Sequence, residues 1–318
     1  MATLINAERL HYMAAVRCGD LHGTGPAGII KSRVVSMKVI GTEYSQVLAT
    51  RVAQALDTRL AGVKFSRFPD GEQYLVAEGL DDETVIVGSV VNNDALVQLL
   101  LLIDACDRSR CRLVIPYMAY ARQDKRFKDG EPLSARVIAR ALSSGVSDVI
   151  TVNIHDPSVL QYFGVPSQNI SIAQDIGAYL KTLRLKDPLI LAPDDGALKF
   201  AEGIASAGGW DCDHLEKTRL SGVEVRMEPK QVSVKSRPVV IVDDIISTGG
   251  TIATAAGMLY DQGAADVYTA CVHGVFTSGA YARLVGSGIR DVICSDTIER
   301  AASRVTAAER IASALKSR

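Results

Sequence analysis

The sequence predicts an α/β protein made of two similar domains, each a mostly parallel sheet flanked by helices. Three observations lead there. Apolar runs of strand length alternate with amphipathic stretches along almost the whole chain, as when strands of one sheet are joined through covering helices. The second half repeats the scheme of the first. The length, 318 residues, also suits two domains.

In chain order, residues 1–36 have weak periodicity and several glycines, and are expected to form an N-terminal extension. A lid or interface arm is the competing reading. Met37-Lys-Val-Ile40 is strand-like and marks the possible start of the first domain. Tyr44, Val47, Leu48, Val52, Ala55 and Leu56 then fall on one helical face. Residues 63–68 and 74–77 read as strands on either side of Pro69-Asp-Gly71. Further strands are expected at 84–90, 112–116 and 149–154, with helices at 94–106 and 132–142. In the second half strands are expected at 189–192, 239–242, 267–272 and 292–295, separated by helices at 196–207, 251–262 and 278–285. Val305, Ala308, Ile311, Ala312 and Leu315 give a terminal helix one apolar face, with which it is able to pack on the first domain. The domain boundary is expected just after Gly164-Val-Pro166, giving domains at 37–166 and 167–318.

A hydrophobic content of 47% with 22% charged residues is ordinary for a soluble protein with a sizeable core. The net charge is −1 and no long run carries one sign, which argues against a nucleic-acid or membrane surface. Any bound anion must therefore be held locally. Six dispersed cysteines lack the close pairs of a zinc site and read as reduced packing residues. The longest apolar stretch, 95–103, is interrupted by Gln98 and is far short of a membrane span. Residues 1–36 lack the apolar centre of a secretory signal, so a cytoplasmic location is expected.

The richest stretch is Val239-Val-Ile-Val-Asp-Asp-Ile-Ile-Ser-Thr-Gly-Gly-Thr-Ile-Ala-Thr-Ala255. It reads as a strand, a phosphate loop and a helix. Ser247, Thr248 and Thr251 offer hydroxyls, Gly249 and Gly250 let backbone N–H groups approach an anion, and the helix N-terminus adds its positive end. Asp243 and Asp244 would repel a bare phosphate, so sugar hydroxyls or magnesium are their natural targets. A ribose phosphate fits this combination. The segment resembles the ribose-phosphate loop of the type I phosphoribosyltransferase superfamily, in which the acid pair contacts ribose and the turn holds the 5-phosphate.

Four other strand ends carry chemistry, where ligands gather in open α/β sheets. Arg67-Phe-Pro-Asp-Gly-Glu72 is a turn by its Pro-Asp-Gly, yet Phe68, Asp70 and Glu72 are equally suited to a nucleobase. Pro116-Tyr-Met-Ala-Tyr-Ala-Arg-Gln-Asp-Lys-Arg126 gathers Arg122, Lys125 and Arg126, which suits a polyphosphate or a solvated turn. His155 ends a strand beside Asp156, where it is either structural or a metal or phosphate ligand. Asp194 and Asp195 leave a strand where a helix begins, as ligands of a hard cation or as a helix cap.

Together these stretches resemble the ribose-phosphate pyrophosphokinase family over 37–298. The resemblance implies a phosphoribosyltransferase-like fold and a set of roles. Phe68, Asp70 and Glu72 match an adenine-contacting loop that reaches a neighbouring subunit's ATP site, which implies a homo-oligomer built from dimers. Arg122 and Gln123 match ATP-contacting positions, and His155 and Asp194 match positions associated with Mg2+. Asp243, Asp244, Ser247, Thr248, Gly249, Gly250 and Thr251 match the ribose 5-phosphate site. Glu216-Lys-Thr-Arg-Leu-Ser-Gly222 reads alone as a polar loop; the family has a mobile catalytic loop there, and Lys217 and Arg219 match its cations. The segment Lys125-Arg-Phe-Lys-Asp-Gly-Glu-Pro132 is similar to that of archaeal-type members rather than those with a longer basic stretch, which leaves ADP inhibition and the hexamer in question. Asp156 and Asp195 are unusual neighbours for the matched His155 and Asp194.

The expected activity is transfer of the β,γ-diphosphoryl group of ATP to the 1-hydroxyl of ribose 5-phosphate, giving phosphoribosyl pyrophosphate and AMP. A phosphoribosyltransferase would explain 243–251 but not the Arg122-Gln-Asp124 segment. A non-catalytic nucleotide-binding regulator would not explain Lys217, Arg219 and His155.

Overall fold

A computed structural model describes residues 36–219, 225–229 and 232–317, with backbone alone over 217–219 and 225–228. The expected extension at 1–36 lies outside the described residues except for Ser36. From there the chain forms β1 (Met37–Gly41), α1 (Gln46–Ala55), β2 (Arg59–Leu60), a hairpin of β3 (Gly62–Arg67) and β4 (Gln73–Glu78), β5 (Glu83–Val87), α2 (Asn93–Ala105), β6 (Arg110–Ile115), α3 (Ser134–Leu142), β7 (Asp148–Val152) and β8 (Ser167–Ile170). It continues through α4 (Ala173–Thr182), β9 (Leu189–Ala192), α5 (Leu198–Gly208), β10 (Cys212–Arg219), β11 (Val225–Pro229), β12 (Pro238–Ile246), α6 (Gly250–Asp261), β13 (Asp266–Gly274), α7 (Ala280–Gly286), β14 (Val292–Ser295), β15 (Ser303–Val305) and α8 (Ala308–Lys316).

Two sheets result. The first has six strands in the order β2-β1-β5-β6-β7-β8, all parallel. The second has seven, β11-β10-β9-β12-β13-β14-β15, and only the β10–β11 pair is antiparallel. The α/β fold class is as the alternation predicts. The strand at Ser167–Ile170 follows Pro166 yet pairs with β7 in the first sheet.

Alternation along the strands sends neighbouring side chains to opposite faces. Val39, Val85 and Val114 face a core that also takes Val240, Val242 and Ala270 of the second sheet, with α1, α4, α5 and α8 contributing to it. Ile40, Ile86 and Leu113 face the opposite way, under α2 and α3, while Leu191, Val239 and Ile241 lie under α6 and α7. Each fully buried Leu or Ile contributes about 2 kcal/mol relative to exposure. The terminal helix packs against α1: Ile311 and Leu315 share a core with Leu48 and Val52, and Lys316 Nζ donates to Ala55 O at 2.9 Å. The five described cysteines are free and wholly or partly buried. Among the described residues no helix is long and apolar enough to cross a membrane.

Candidate active site

The strand predicted at 239–242 does not stop at its acids. β12 stays in register with β13 through Asp243 opposite Cys271 and Ile246 opposite Gly274, because Ile245 and Ile246 restore apolar content after the two carboxylates. The turn then needs a left-handed residue, and Gly249 supplies it at φ +70°. A Cβ there would lie 3.1 Å from the Leu284 side chain, so glycine is also required by the approach of α7. From Gly250 the chain enters α6, whose first-turn N–H groups have no helical acceptors and face the turn.

The turn is buttressed from outside. Thr277 N donates to Ser247 O at 3.1 Å, and the hydroxyls of Ser247 and Thr277 lie 3.3 Å apart. Arg283 donates through one nitrogen to Thr248 O and through the other to Ser278 O at 3.3 Å. Thr248 and Thr251 are exposed beside these groups.

The first sheet brings His155 to the same place. β7 ends at Val152, and Asn153 turns the chain with φ +40°, a conformation that Asn tolerates better than most residues. Its side-chain oxygen accepts from Ile172 N at 3.0 Å. His155 then projects across the junction, and its Nδ1 donates to Asp244 Oδ2 at 2.6 Å. Asp156 accepts from Ser158 N at 2.8 Å and caps a short 3-10 turn, Pro157–Tyr162, which accounts for the acid that follows His155.

Charge at this junction is unbalanced. Burial and the neighbouring Asp244 push the Asp243 carboxyl up to about 8. Burial acts on Asp244 in the same direction, but hydrogen bonds from His155 and Asp243 hold it below the usual carboxylate range. The bond to Asp244 raises His155 against its partial burial, and the charges of Arg122 and Asp124 also reach it. Asp194 lies near enough to act on Asp243.

The structure thus brings Arg122, His155, Asp194, Asp243 and Asp244 into one electrostatic neighbourhood, with Ser247 to Thr251 directly following the acid pair along the chain. Other candidates are engaged elsewhere. Gln123 holds the start of α3: its side-chain oxygen accepts from Ser134 Oγ at 2.5 Å and its carbonyl from Ala135 N at 3.3 Å. Asp194 also caps a short turn, accepting from Ala197 N at 3.3 Å. Phe68, Asp70 and Glu72 form the exposed tip of the β3–β4 hairpin. There Phe68 is 49% exposed and packs edge-on against Tyr74 with centroids 5.6 Å apart. Asp70 accepts from Glu72 N at 3.2 Å.

The segment read as a polar loop at 216–222 is strand as far as Arg219. Lys217 opposes Met227 and Arg219 opposes Val225 in the antiparallel pair. Lys217 and Arg219 alternate with Glu216 and Thr218, so the stretch has no apolar periodicity from which a strand could be read. The side chains of Lys217 and Arg219 lie outside the described residues. Sequence reasoning missed His273, which ends β13 and is buried against the site; Cys-Val-His-Gly274 at a strand end was its available signal.

Comparison with known proteins agrees with this geometry. A model of the N-terminal domain of ribose phosphate pyrophosphokinase matches residues 37–145, and one of the phosphoribosyl synthetase-associated domain matches residues 227–313. The chain is 47% identical over 287 residues to the ribose-phosphate pyrophosphokinase of Methanosarcina mazei, which covers 89% of this chain and 97% of that one. Identity to the enzyme of that name from Methanopyrus kandleri is 43% over 287 residues, with 88% and 99% covered. The crystal structure of phosphoribosylpyrophosphate synthetase from Mycobacterium smegmatis superposes with a TM-score of 0.77 at 27% identity, over 89% of this chain and 98% of that chain.

Proposed function

Because the chain belongs to the ribose-phosphate pyrophosphokinase family, it is a transferase that moves the β,γ-diphosphoryl group of ATP to the 1-hydroxyl of ribose 5-phosphate, and we propose how its residues divide that work. The observation that carries the assignment is the 2.6 Å contact of His155 with Asp244, which sets a donor-side residue of the first sheet against the acceptor loop of the second.

Ser247, Thr248, Gly249, Gly250 and Thr251 bind the 5-phosphate through hydroxyls, backbone N–H groups and the start of α6. Asp243 and Asp244 take the ribose hydroxyls, which orients the 1-hydroxyl for in-line attack on the β-phosphorus. Arg122, Lys217 and Arg219 surround the phosphates with positive charge as the bond to the α-phosphate breaks and AMP leaves. The protein forms no covalent intermediate; it positions the two substrates and excludes water.

The residues suit magnesium. Burial and its neighbour's charge disfavour the charged form of Asp243, a condition that a hard cation relieves. His155 is oriented by a carboxylate, as metal-bound imidazoles commonly are. Among the described residues no cluster of three or more His, Cys, Asp or Glu is arranged to hold an ion, which fits an ion completed by water and substrate phosphates. We assign His155 and Asp194 as its protein contacts; when bound, magnesium neutralises phosphate charge. Gln123 acts on ATP through its hold on α3. Phe68, Asp70 and Glu72 sandwich the adenine of a neighbouring subunit, so the working form is a cytoplasmic homo-oligomer of dimers with a shared ATP site. Two domains, 37–166 and 167–318, supply the two substrate sites, with β8 completing the first sheet.

Incubation with ATP, magnesium and ribose 5-phosphate is expected to release AMP in step with phosphoribosyl pyrophosphate. No AMP in that mixture would remove the assignment. Sedimentation tests the shared site, which a monomer contradicts.

A further inference from the structure

Beneath the exposed His155–Asp244 contact runs a line of buried hydrogen bonds with no part in the chemistry above. Its side chains, Ser45, Ser89, Thr297 and His273, are each at most 2% exposed. Ser89 N donates to Ser45 Oγ at 2.9 Å, and Tyr117 N donates to Ser89 Oγ at 3.2 Å. Ser89 Oγ in turn donates to Thr297 O, crossing from the first sheet to the second. His273 then returns to the first sheet: Nδ1 lies 2.9 Å from Thr297 Oγ1 and Nε2 lies 3.2 Å from Asn153 O.

One proton direction in this line is fixed by its chemistry. The Asn153 carbonyl only accepts, so Nε2 of His273 carries the proton, and Nδ1 of the neutral ring is an acceptor that faces the Thr297 hydroxyl. That hydroxyl is shared: it also lies 3.0 Å from the Val272 carbonyl and 2.9 Å from Ser295 Oγ, which itself donates to the Val272 carbonyl at 2.7 Å. Tyr117 closes the arrangement, its ring centroid 5.0 Å from that of His273. His273 thus donates to the first sheet, faces the Thr297 hydroxyl of the second and packs against the tilted ring of Tyr117.

We propose that His273 is a positioning residue: by holding the Asn153 carbonyl it fixes the turn that presents His155 and so sets His155 against Asp244 across the two sheets. Asn153, at φ +40°, is held within the first half by Ile172 N on its side-chain oxygen at 3.0 Å and by its own N–H on Ile170 O at 2.8 Å; the His273 bond ties that turn to the second sheet. The inference rests on the reading of His155 and Asp244 as one working pair.

Leucine at 273 keeps most of the volume and removes both bonds; glutamine keeps an amide donor and an oxygen acceptor. In the crystal structure of H273L the His155–Asp244 separation is expected to exceed hydrogen-bond distance. The magnesium concentration for half-maximal activity is expected to rise at least fivefold, with H273Q within twofold of the native protein. A role in stability alone would lower the active fraction and leave that concentration unmoved. H155A serves as the reference for the metal assignment. If H155A leaves the magnesium requirement unchanged, the metal reading of His155 falls, while the separation in H273L still decides the positioning role. If H273L keeps the contact and the native requirement, the proposal is overturned. Should H273L fail to fold, T297V, which takes the hydroxyl away from Nδ1 and with it the contacts to the Val272 carbonyl and Ser295 Oγ, is expected to raise the requirement two- to threefold, and no change there also overturns it.

Discussion

The two ends of the first sheet treat charge in opposite ways. At the end where its strands begin, Arg112 is buried among Glu83, Asp148 and the Leu315 carbonyl. Its contacts to Asp148 are 2.9 and 3.2 Å, and those to Glu83 and Leu315 are 3.2 and 3.0 Å. Every charge there is answered within the chain. At the end where the strands finish, the exposed His155 meets Asp244 of the second sheet, and the adjacent Asp243 is pushed up to about 8 by burial and by Asp244. A closed network is a structural device; one left open by the chain's own residues is where a ligand completes the balance.

The largest expected effect belongs to the open end. Lys217→Ala is expected to lower turnover at least a thousandfold, about 4 kcal/mol in barrier height, while the thermal midpoint stays unchanged. AMP release and a melting curve check both, and a native rate would strike Lys217 from the site. The closed end should behave in reverse. Arg112→Met strands two buried carboxylates and is expected to cost about 3–5 kcal/mol in denaturant unfolding, with activity per folded molecule retained. A loss below 1 kcal/mol would mean that the network is not closed.

Between the ends lies His273, whose burial pushes its pKa down to about 4. A base depressed on folding binds fewer protons folded than unfolded, so its contribution is present above pH 6.5 and lost as pH falls toward 4. That amounts to about 3 kcal/mol at 1.36 kcal/mol per unit. Urea midpoints from pH 4 to 7 should show this slope in the native protein and its absence in H273Q; equal slopes would count against a buried neutral ring.

The smallest effect has the opposite sign. Asp243 is raised on folding by burial and by Asp244, so the folded protein holds a proton that the unfolded chain releases, and stability declines as pH rises from the ordinary carboxylate value to about 8. Asp243→Asn lacks that decline and is expected to be more stable than the native protein at pH 8, with turnover lost. A less stable variant would show that the acid pair is already balanced without a ligand.

Much of this arrangement was legible in the sequence. Acids that end an apolar run, as at Asp243 and Asp244, announce a ligand because packing alone does not account for them. Most strands and helices with a buried face were likewise visible through their periodicity. Of the elements missed, β2 has two residues, β15 three and β8 four, and β10 and β11 extend from the sheet as a two-stranded arm; α4 is longer, at ten residues, but its buried face of Ala173, Ile176, Gly177 and Leu180 is half small residues and gives little apolar contrast. His273 was invisible for a different reason. Its importance comes from a carbonyl 120 positions away in the chain, and no local pattern encodes such a partner.

The closing of Arg112 by Leu315 spans 203 residues and has a consequence for synthesis. The first half is expected to finish folding only once α8 has left the ribosome, because Ile311 and Leu315 of α8 share the core of Leu48 and Val52 on α1. Until then an apolar helix face and a buried-charge site stand open. Such late, long-range closure slows folding and lengthens exposure to aggregation. A chain that stops short of residue 308 is therefore expected to be cleared by proteolysis even though both substrate loops are already made.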